Sequence, residues 1–165
     1  MLAQQGWNDY LQRYAERVFP STIECIQSYE NKDSKSNWRI NWSVAKLSKG
    51  AAGATNPDYE KGIINIIIDP TSLRNGFLAL IVGHELVHGL DIANGNHLQW
   101  LFEFGPDGEG TPTNAIMEVH AWEWTQKYEQ HPSINMPLGD GAAQMLPIYR
   151  SMLPANFPGF NHYNR

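Results

Sequence analysis

Two periods of apolar side chains run through the first third of the chain. Between residues 7 and 19 the apolar residues recur at helical spacing, which predicts a helix that ends before Pro20. The pattern allows residues 22–30 to continue as helix. Residues 38–44 alternate between apolar and polar side chains, which predicts a strand with one buried face. The polar run 31–37 between these segments predicts a loop.

The clearest strand signal comes later in the chain. Isoleucine occupies five of the six positions from 63 to 68, and an Asp-Pro pair follows. β-Branched residues favour strands and Asp-Pro ends them, so a buried strand is predicted there. A largely apolar helix is expected next, from residue 72 or 75 to about Asn94, where an Asn-Gly pair provides a stop.

Loops are predicted where glycine, proline and small polar residues cluster. Residues 50–58 contain an Asn-Pro pair and predict one loop, and residues 95–111 predict a long surface loop. We expect the second loop to cover or border a cleft. The Thr-Pro pair at 111–112 predicts the cap and first position of a helix that reaches about Glu129. A short helix is expected at about 142–152.

Composition and charge narrow the class of protein. The chain has 165 residues, 42% apolar and 18% charged, which is enough for one core and too apolar for a disordered chain. We therefore expect a single α+β domain over residues 1–165. A net charge of −5 argues against a nucleic-acid-binding surface. The lone cysteine, Cys25, excludes an internal disulfide and a zinc site made of several thiolates.

We searched the sequence for two kinds of targeting segment, a signal peptide and a membrane-spanning apolar run. The N-terminal segment MLAQQGWNDYLQRY lacks a basic region followed by an apolar run, so no signal peptide is predicted. No apolar stretch is long enough to span a bilayer, so no membrane partner is expected. The expected locations are the cytoplasm, or delivery as part of a larger secreted chain.

The helix predicted after the isoleucine strand contains the segment GHELVHG, residues 83–89. His84 and His88 are four residues apart, so both imidazoles lie on one helical face and can reach one zinc ion. Glu85 lies about 100° round the helix and can accept a proton from an attacking water without binding the metal. The competing interpretation is an amphipathic helix with two surface histidines. Three polar side chains in an otherwise apolar helix favour the metal site.

This segment, placed after a strand, resembles the HExxH zincin superfamily of metallopeptidases. The resemblance implies Zn²⁺ as cofactor, a polypeptide as substrate and peptide-bond hydrolysis by a zinc-activated water. It implies a zincin-like α+β fold, with a small mixed sheet packed on an active-site helix and a second ligand-bearing helix. The strand at 63–68, or a neighbouring strand, would border the cleft and pair with an extended substrate.

Two histidines leave the zinc one protein ligand short. The metzincin pattern places a glycine and a third ligand at positions that Asp91 and Asn94 occupy here, so this branch is excluded. Asp91 lies about 10.5 Å along the helix from His84, and three side chains on such a line rarely converge on one ion. We expect Asp91 to be either an acceptor for a histidine N–H or a solvated residue at the helix end.

The remaining branch, the gluzincins, takes a glutamate from a later helix. The candidates are Glu103, Glu109, Glu118 and Glu123. Glu118 has small and apolar helical neighbours, which favours a compensating cation, and we predict it as the third ligand. Glu123 is spaced to pair with Lys127, and Glu103 and Glu109 lie in a predicted loop, a poor place for a rigid ligand. Glu123, Glu103 and Asp91 stay open as alternatives.

Hydrolysis by a zincin also requires a donor for the oxyanion that forms on the attacked carbonyl. Zincins often supply a tyrosine or histidine, and the candidates here are Tyr128, His131, Tyr149 and Tyr163. Tyr149 is preferred because, with Arg150, it is polar within an apolar run. A packed tyrosine beside a surface arginine is the competing interpretation.

The size of the chain and the context of the motif are similar to the peptidase domains of bacterial polymorphic toxins and of HExxH effectors injected by type III secretion. That similarity implies a cognate immunity protein or a larger secreted carrier chain as partner. The alternatives are a stand-alone cytosolic peptidase, an enzyme that cleaves peptidoglycan cross-links, and a zincin-shell binding module or toxin that hydrolyses no peptide. In a further alternative the histidines are purely structural.

Overall fold

A computed structural model describes residues 3–48, 50–74, 76–129 and 141–163 of the chain. Contacts divide the chain into two units, of which the first ends at Ala93 and the second begins at Asn94. Each unit buries side chains of its own, and the single domain expected over the whole chain stays a prediction. Within the described residues, no helix combines the length and apolar character needed to cross a membrane.

The first unit opens with two helices, α1 (Gln4–Val18) and α2 (Pro20–Gln27). The helix predicted for residues 7–19 is confirmed, and the helical segment allowed for residues 22–30 is confirmed up to Gln27, since Glu30 already belongs to a strand. Pro20 marks their boundary by starting α2, because the first helical position needs no N–H donor and suits proline. The buried side chains of these two helices are Leu11, Ala15, Ile23 and Ile26.

A ribbon and a small sheet follow the helices, and the expected α+β class is confirmed. The ribbon joins β1 (Glu30–Asn31) and β2 (Ser36–Asn37) within the segment predicted as a polar loop. The sheet contains β3 (Arg39–Val44), β4 (Gly53–Asp58) and β5 (Ile63–Ile68), in the order β3-β5-β4. β5 runs parallel to β3 and antiparallel to β4, so the sheet is mixed as expected.

The strand β4 corrects the loop predicted for residues 50–58. Its glycine, asparagine and proline are poor strand formers, so local preference gave no strand signal. The segment is extended because β5 offers it a pairing register, from Gly53 opposite Ile68 to Asp58 opposite Ile63. β4 also lies at an edge of the sheet, where a proline is tolerated.

The helix that carries the motif is α3 (Leu78–Ala93), and it packs against α2, β4 and β5. It begins later than predicted, because a 3₁₀-helix (Pro70–Arg74) precedes it and residue 75 lies outside the described part. A Cβ atom on Gly89 would lie 3.4 Å from Ile26 Cδ1 and 3.6 Å from Ile64 Cγ2. Gly89 therefore allows α3 to lie close to α2 and to the sheet.

Asp69 holds the connection between β5 and the 3₁₀-helix. Its Oδ2 accepts a hydrogen bond from the Leu47 N–H at 2.9 Å, and its Oδ1 accepts from the N–H and the Oγ1 of Thr71 at 3.0 and 2.7 Å. These bonds, foremost the one from Leu47, hold the pKa of Asp69 below its ordinary value. An ionised carboxylate therefore fixes this turn at neutral pH.

The second unit is helical in its described residues. It contains α4 (Asn96–Phe104), α5 (Pro112–Glu129), α6 (Gly141–Ser151) and a 3₁₀-helix (Phe160–Tyr163). The predicted start of α5 is confirmed, since Thr111 Oγ1 accepts a hydrogen bond from the Asn114 N–H at 3.2 Å. The predicted short helix is confirmed as α6. The core residues Val119, Ala142 and Leu146 join α5 to α6.

The long loop predicted for residues 95–111 is wrong, because α4 occupies more than half of it. His97 and Trp100 are buried three residues apart, and Phe104 continues this face one turn later. Gly95 adopts the left-handed conformation, with φ at +91°, and separates α3 from α4. The glycine- and proline-rich segment shrinks to residues 105–111, so a long flexible cover over a cleft is not proposed.

Tyr163 anchors the last 3₁₀-helix of the second unit. It is only 1% exposed, and its hydroxyl donates a hydrogen bond to Glu103 Oε2 at 2.7 Å. Burial first, and the Glu103 carboxylate second, raise the pKa of Tyr163 to about 12. A group with a raised pKa contributes stability below its unfolded pKa, about 10 for tyrosine, and this stability is lost at higher pH.

We expect the free energy of unfolding of the parent to fall relative to that of Tyr163→Phe as the pH rises from about 10 to 12. The full loss is roughly 2–3 kcal/mol, from 1.36 kcal/mol per unit of pKa shift. Urea unfolding at a series of pH values measures it, with the exposed Tyr10→Phe as the control. A difference between parent and variant that stays constant over this range would contradict the assignment.

Candidate metal centre

Four polar side chains of α3 are buried. His84, Glu85 and His88 are 8%, 6% and 7% exposed, and Asp91 is fully buried. The imidazoles of His84 and His88 lie edge to face, with ring centroids 5.0 Å apart. The alternative of two histidines on a solvated helix face is therefore wrong. The buried Asp91 likewise contradicts the alternative of a solvated helix end, and its role as a histidine acceptor stays a prediction.

His84, Glu85 and His88 bring their ligand atoms close together. One nitrogen of each imidazole and one oxygen of the carboxylate all lie within 4.8 Å of one another. Among the described residues, no other group of three or more His, Cys, Asp or Glu side chains meets this condition. Neutral imidazoles and carboxylates are ligands that zinc accepts at bond lengths of about 2 Å, so this donor set fits a zinc ion.

The strand β4 lies against the Glu85 side chain. The Thr55 hydroxyl lies within donating distance of two Glu85 oxygens, the carboxylate Oε1 at 2.9 Å and the backbone carbonyl oxygen at 3.2 Å. A Cβ atom on Gly53 would lie only 2.9 Å from Glu85 Cγ and 3.2 Å from Oε2. Sequence reasoning missed both residues, since they are brought to α3 by a strand that was predicted as a loop.

The order of the described strands in the sheet shows which of them lie at an edge, where an extended peptide can pair. β5 has a hydrogen-bonded strand on each side, so an extended peptide cannot pair with residues 63–68. β3 and β4 are the two outer strands, and of these β4 carries the residues that contact Glu85. Pairing of a substrate with the isoleucine strand itself is therefore excluded by the sheet order, and β4 is the edge strand in contact with Glu85. Its role in binding a substrate stays a prediction.

The glutamate candidates for a third ligand lie in the second unit and have different surroundings. Glu103 accepts hydrogen bonds from Tyr163 and from Gln99, which lower its pKa, the bond from Tyr163 most. Glu123 forms an ion pair with Arg150 of α6, with Oε1 to Nη2 at 3.3 Å. Glu109 is exposed in the segment between α4 and α5. Glu118 is half-buried on α5, which is compatible both with a metal ligand and with an ordinary half-exposed helical glutamate.

Tyr149 and Glu118 influence each other within the second unit. Tyr149 is half-buried on α6 and packs against the core residues Val119, Ala142 and Leu146. Burial raises the pKa of Tyr149, and the charges of Glu118 and then Glu109 raise it further. The phenol therefore keeps its proton at neutral and mildly alkaline pH, as a hydrogen-bond donor must. Its role as oxyanion donor stays a prediction.

The other oxyanion candidates have contacts of their own or lie outside the described part. The Tyr128 ring stacks on Trp124 with centroids 4.8 Å apart. The Tyr163 hydroxyl is engaged with Glu103. His131 lies outside the described residues. These positions give no reason to prefer another residue over Tyr149.

The residues predicted as a site thus fall into two groups. His84, Glu85 and His88 lie close together on α3 of the first unit, whereas Glu118 and Tyr149 lie in the second unit, where the charge of Glu118 raises the pKa of Tyr149. Comparisons of the chain with protein-family models, with curated proteins and with solved structures gave no match. The resemblance to zincins therefore rests on the segment 83–89 and the strand that precedes its helix, and the candidate centre is assigned from its own side chains.

Proposed function

We propose that this chain is a zinc-dependent endopeptidase in which His84 and His88 bind the metal and Glu85 is the general base. The observation that carries the proposal is the buried group of two imidazoles and one carboxylate, with ligand atoms within 4.8 Å of one another. Burial of polar side chains costs free energy unless each has a partner, and a shared divalent cation is one such partner. A zinc ion is the metal that this donor set and its four-residue spacing suit best.

Each residue of the centre has one task in the proposed reaction. When bound, zinc activates a water and polarises the carbonyl of the scissile bond. The Glu85 carboxylate accepts the proton of the attacking water and afterwards donates it to the leaving nitrogen. Among the described strands β4 lies at an edge of the sheet, and its outer edge would offer backbone hydrogen bonds to an extended polypeptide. Glu118 as third ligand and Tyr149 as oxyanion donor remain parts of this proposal.

A second candidate function follows from the position of the Glu85 carboxylate. One of its oxygens belongs to the group of ligand atoms that all lie within 4.8 Å of one another. In this alternative Glu85 is itself a metal ligand, and the protein binds a metal without hydrolysing peptides. The two functions differ in one measurable property, since loss of the carboxylate removes the metal only in the second.

The biological setting rests on the resemblance alone. A role as the toxin or effector domain of a bacterial secretion system, with an immunity protein or a carrier chain as partner, stays a proposal. So does the choice between a polypeptide and a peptidoglycan cross-link as substrate. The same purified protein tests both substrates, because a peptide mixture and isolated cross-linked muropeptides are digested under identical conditions.

Hydrolysis is expected to depend on zinc and to be restored by zinc after chelation. The protein is treated with a chelator, dialysed, and incubated with a denatured protein mixture, with or without one equivalent of zinc or of magnesium. New peptide termini, measured by mass spectrometry, should appear with zinc only. Magnesium is the matched control, because it favours oxygen ligands in octahedral geometry and does not suit two imidazoles. Equal cleavage with and without zinc would contradict the proposal.

A further inference from the structure

We infer that Thr55 is a positioning residue for the general base, and that Gly53 keeps the space in which the base lies. This inference rests on the proposed function and extends it to the edge strand β4. It assigns a role to two residues outside the motif, neither of which contributes a metal ligand. The juxtaposition is that of a strand hydroxyl and a strand glycine with one helix carboxylate.

The hydrogen bond from Thr55 restricts the rotation of the Glu85 carboxylate. Oγ1 has one proton and two acceptors within reach, Glu85 Oε1 at 2.9 Å and the Glu85 carbonyl oxygen at 3.2 Å. The carboxylate is the closer acceptor and carries charge, and charge-assisted hydrogen bonds are the stronger ones. With Oε1 held by the strand, Oε2 is the oxygen left to take part in proton transfer.

Gly53, two residues before Thr55 on the same strand, leaves free the space that the Glu85 side chain occupies. The Cβ of any other residue would lie 2.9 Å from Glu85 Cγ, 3.1 Å from Cδ and 3.2 Å from Oε2. The backbone of Gly53 lies outside the left-handed region, so an alanine is strained there by contact alone. The glycine thus fits the close approach of β4 to α3 rather than a special turn.

Fixing a catalytic carboxylate in place speeds a reaction without changing the binding of substrate. Residues that orient a functional group by a hydrogen bond typically account for 10- to 100-fold in affinity or activity. The contribution of Thr55 should therefore appear in kcat. KM should stay the same, because Thr55 acts through Glu85 and not through the substrate.

The test compares Thr55→Val, which removes the hydroxyl at nearly constant volume, with Thr55→Ser, which keeps it. For the zinc-loaded protein we expect Thr55→Val to lower kcat about 10- to 100-fold, with KM and zinc content unchanged, and Thr55→Ser to stay within about threefold of the parent. Thr71→Val is the matched control, since Thr71 Oγ1 donates to the Asp69 carboxylate at 2.7 Å. This control loses the same kind of bond and should keep the parent's kcat.

A second measurement needs no metal and no activity. In the metal-free protein, Thr55→Val should lower the urea midpoint of the parent and have a smaller effect in a Glu85→Ala background, because the bond exists only when both side chains do. Gly53→Ala tests the same arrangement if Thr55→Val does not fold. It should lower kcat with zinc retained, whereas Gly141→Ala, whose Cβ would meet Trp122 at 3.4 Å, should not.

The outcomes separate this inference from the proposed function. If the zinc-loaded parent hydrolyses peptides and Thr55→Val keeps the kcat of Thr71→Val, the inference is overturned and the peptidase function stands. If the effects of Thr55→Val and Glu85→Ala on the metal-free urea midpoint are additive, the inference is overturned as well. If the zinc-loaded parent shows no hydrolysis, the proposed function fails and this inference fails with it.

Discussion

Replacing Glu85 by glutamine is expected to lower the rate of hydrolysis by about two to four orders of magnitude while the protein keeps its zinc. Glutamine has the shape of glutamate, and its carbonyl oxygen accepts the hydrogen bond from Thr55 as Oε1 does. It cannot accept the proton of the attacking water. Initial rates on a peptide substrate and the zinc content of the same preparation measure the two properties together.

The controls for this variant distinguish three roles for Glu85. Glu16→Gln is the matched control, because the Glu16 carboxylate is an exposed acceptor for Gln12 and lies outside the centre. Loss of zinc together with activity in Glu85→Gln would make Glu85 a metal ligand and favour the non-hydrolytic alternative. Unchanged hydrolysis would remove Glu85 from the mechanism. A biological effect that persists without hydrolysis would have a cause other than catalysis.

Alanine at His84 or His88 is expected to abolish the stabilisation of the protein by zinc. A metal bound only by the folded state stabilises it by about 4 kcal/mol at 1,000 times its Kd. For a protein of this size that free energy corresponds to a rise in Tm of roughly 10 °C. We expect the parent to show this rise on zinc addition and to lose it with a chelator, and His88→Ala to show neither. Thermal melts with zinc and with chelator measure it.

The comparison within each variant removes the cost of the substitution itself. His88→Ala shortens a buried side chain and lowers Tm even without metal, so only the difference between zinc and chelator counts. His162→Ala, at an exposed histidine, is the control and should keep the full rise. Glu118→Ala should keep part of it if Glu118 is the third ligand. A full zinc response in His88→Ala would place the metal elsewhere.

The elements with strong local signals were predicted from the sequence. The strand β5 and the helix α3 follow from an isoleucine run and from a long apolar segment, and both signals lie within the elements themselves. The cap of α5 was predicted because Thr111 acts on a residue three positions away. Helices and strands that are determined by residues close together along the chain can therefore be predicted from the sequence.

The elements that were missed are set by distant contacts or hidden by unfavourable residues. β4 is extended because it pairs with β5, and its own glycine and proline argue against a strand. α4 was missed because glycine and asparagine at its start and glycine and proline after its end dominated the pattern. Only the spacing of His97, Trp100 and Phe104 indicated a helix there.

The residues of the candidate site show the same difference between local and distant determinants. His84, Glu85 and His88 are placed by helix geometry, so their convergence could be predicted from four-residue spacing. Thr55 and Gly53 reach Glu85 from a strand thirty residues earlier, and no spacing rule reports such a contact. A third ligand from another helix is equally hard to predict, because no spacing rule identifies it. The sequence therefore left several glutamates as candidates.

The number of zinc ions bound per chain tests the central claim most directly. The purified protein is exchanged into metal-free buffer, offered zinc, freed of excess and examined by elemental analysis, with His88→Ala beside it. The account predicts close to one zinc per chain in the parent and much less in the variant. No retained zinc in the folded parent would contradict the metal centre and the peptidase built on it.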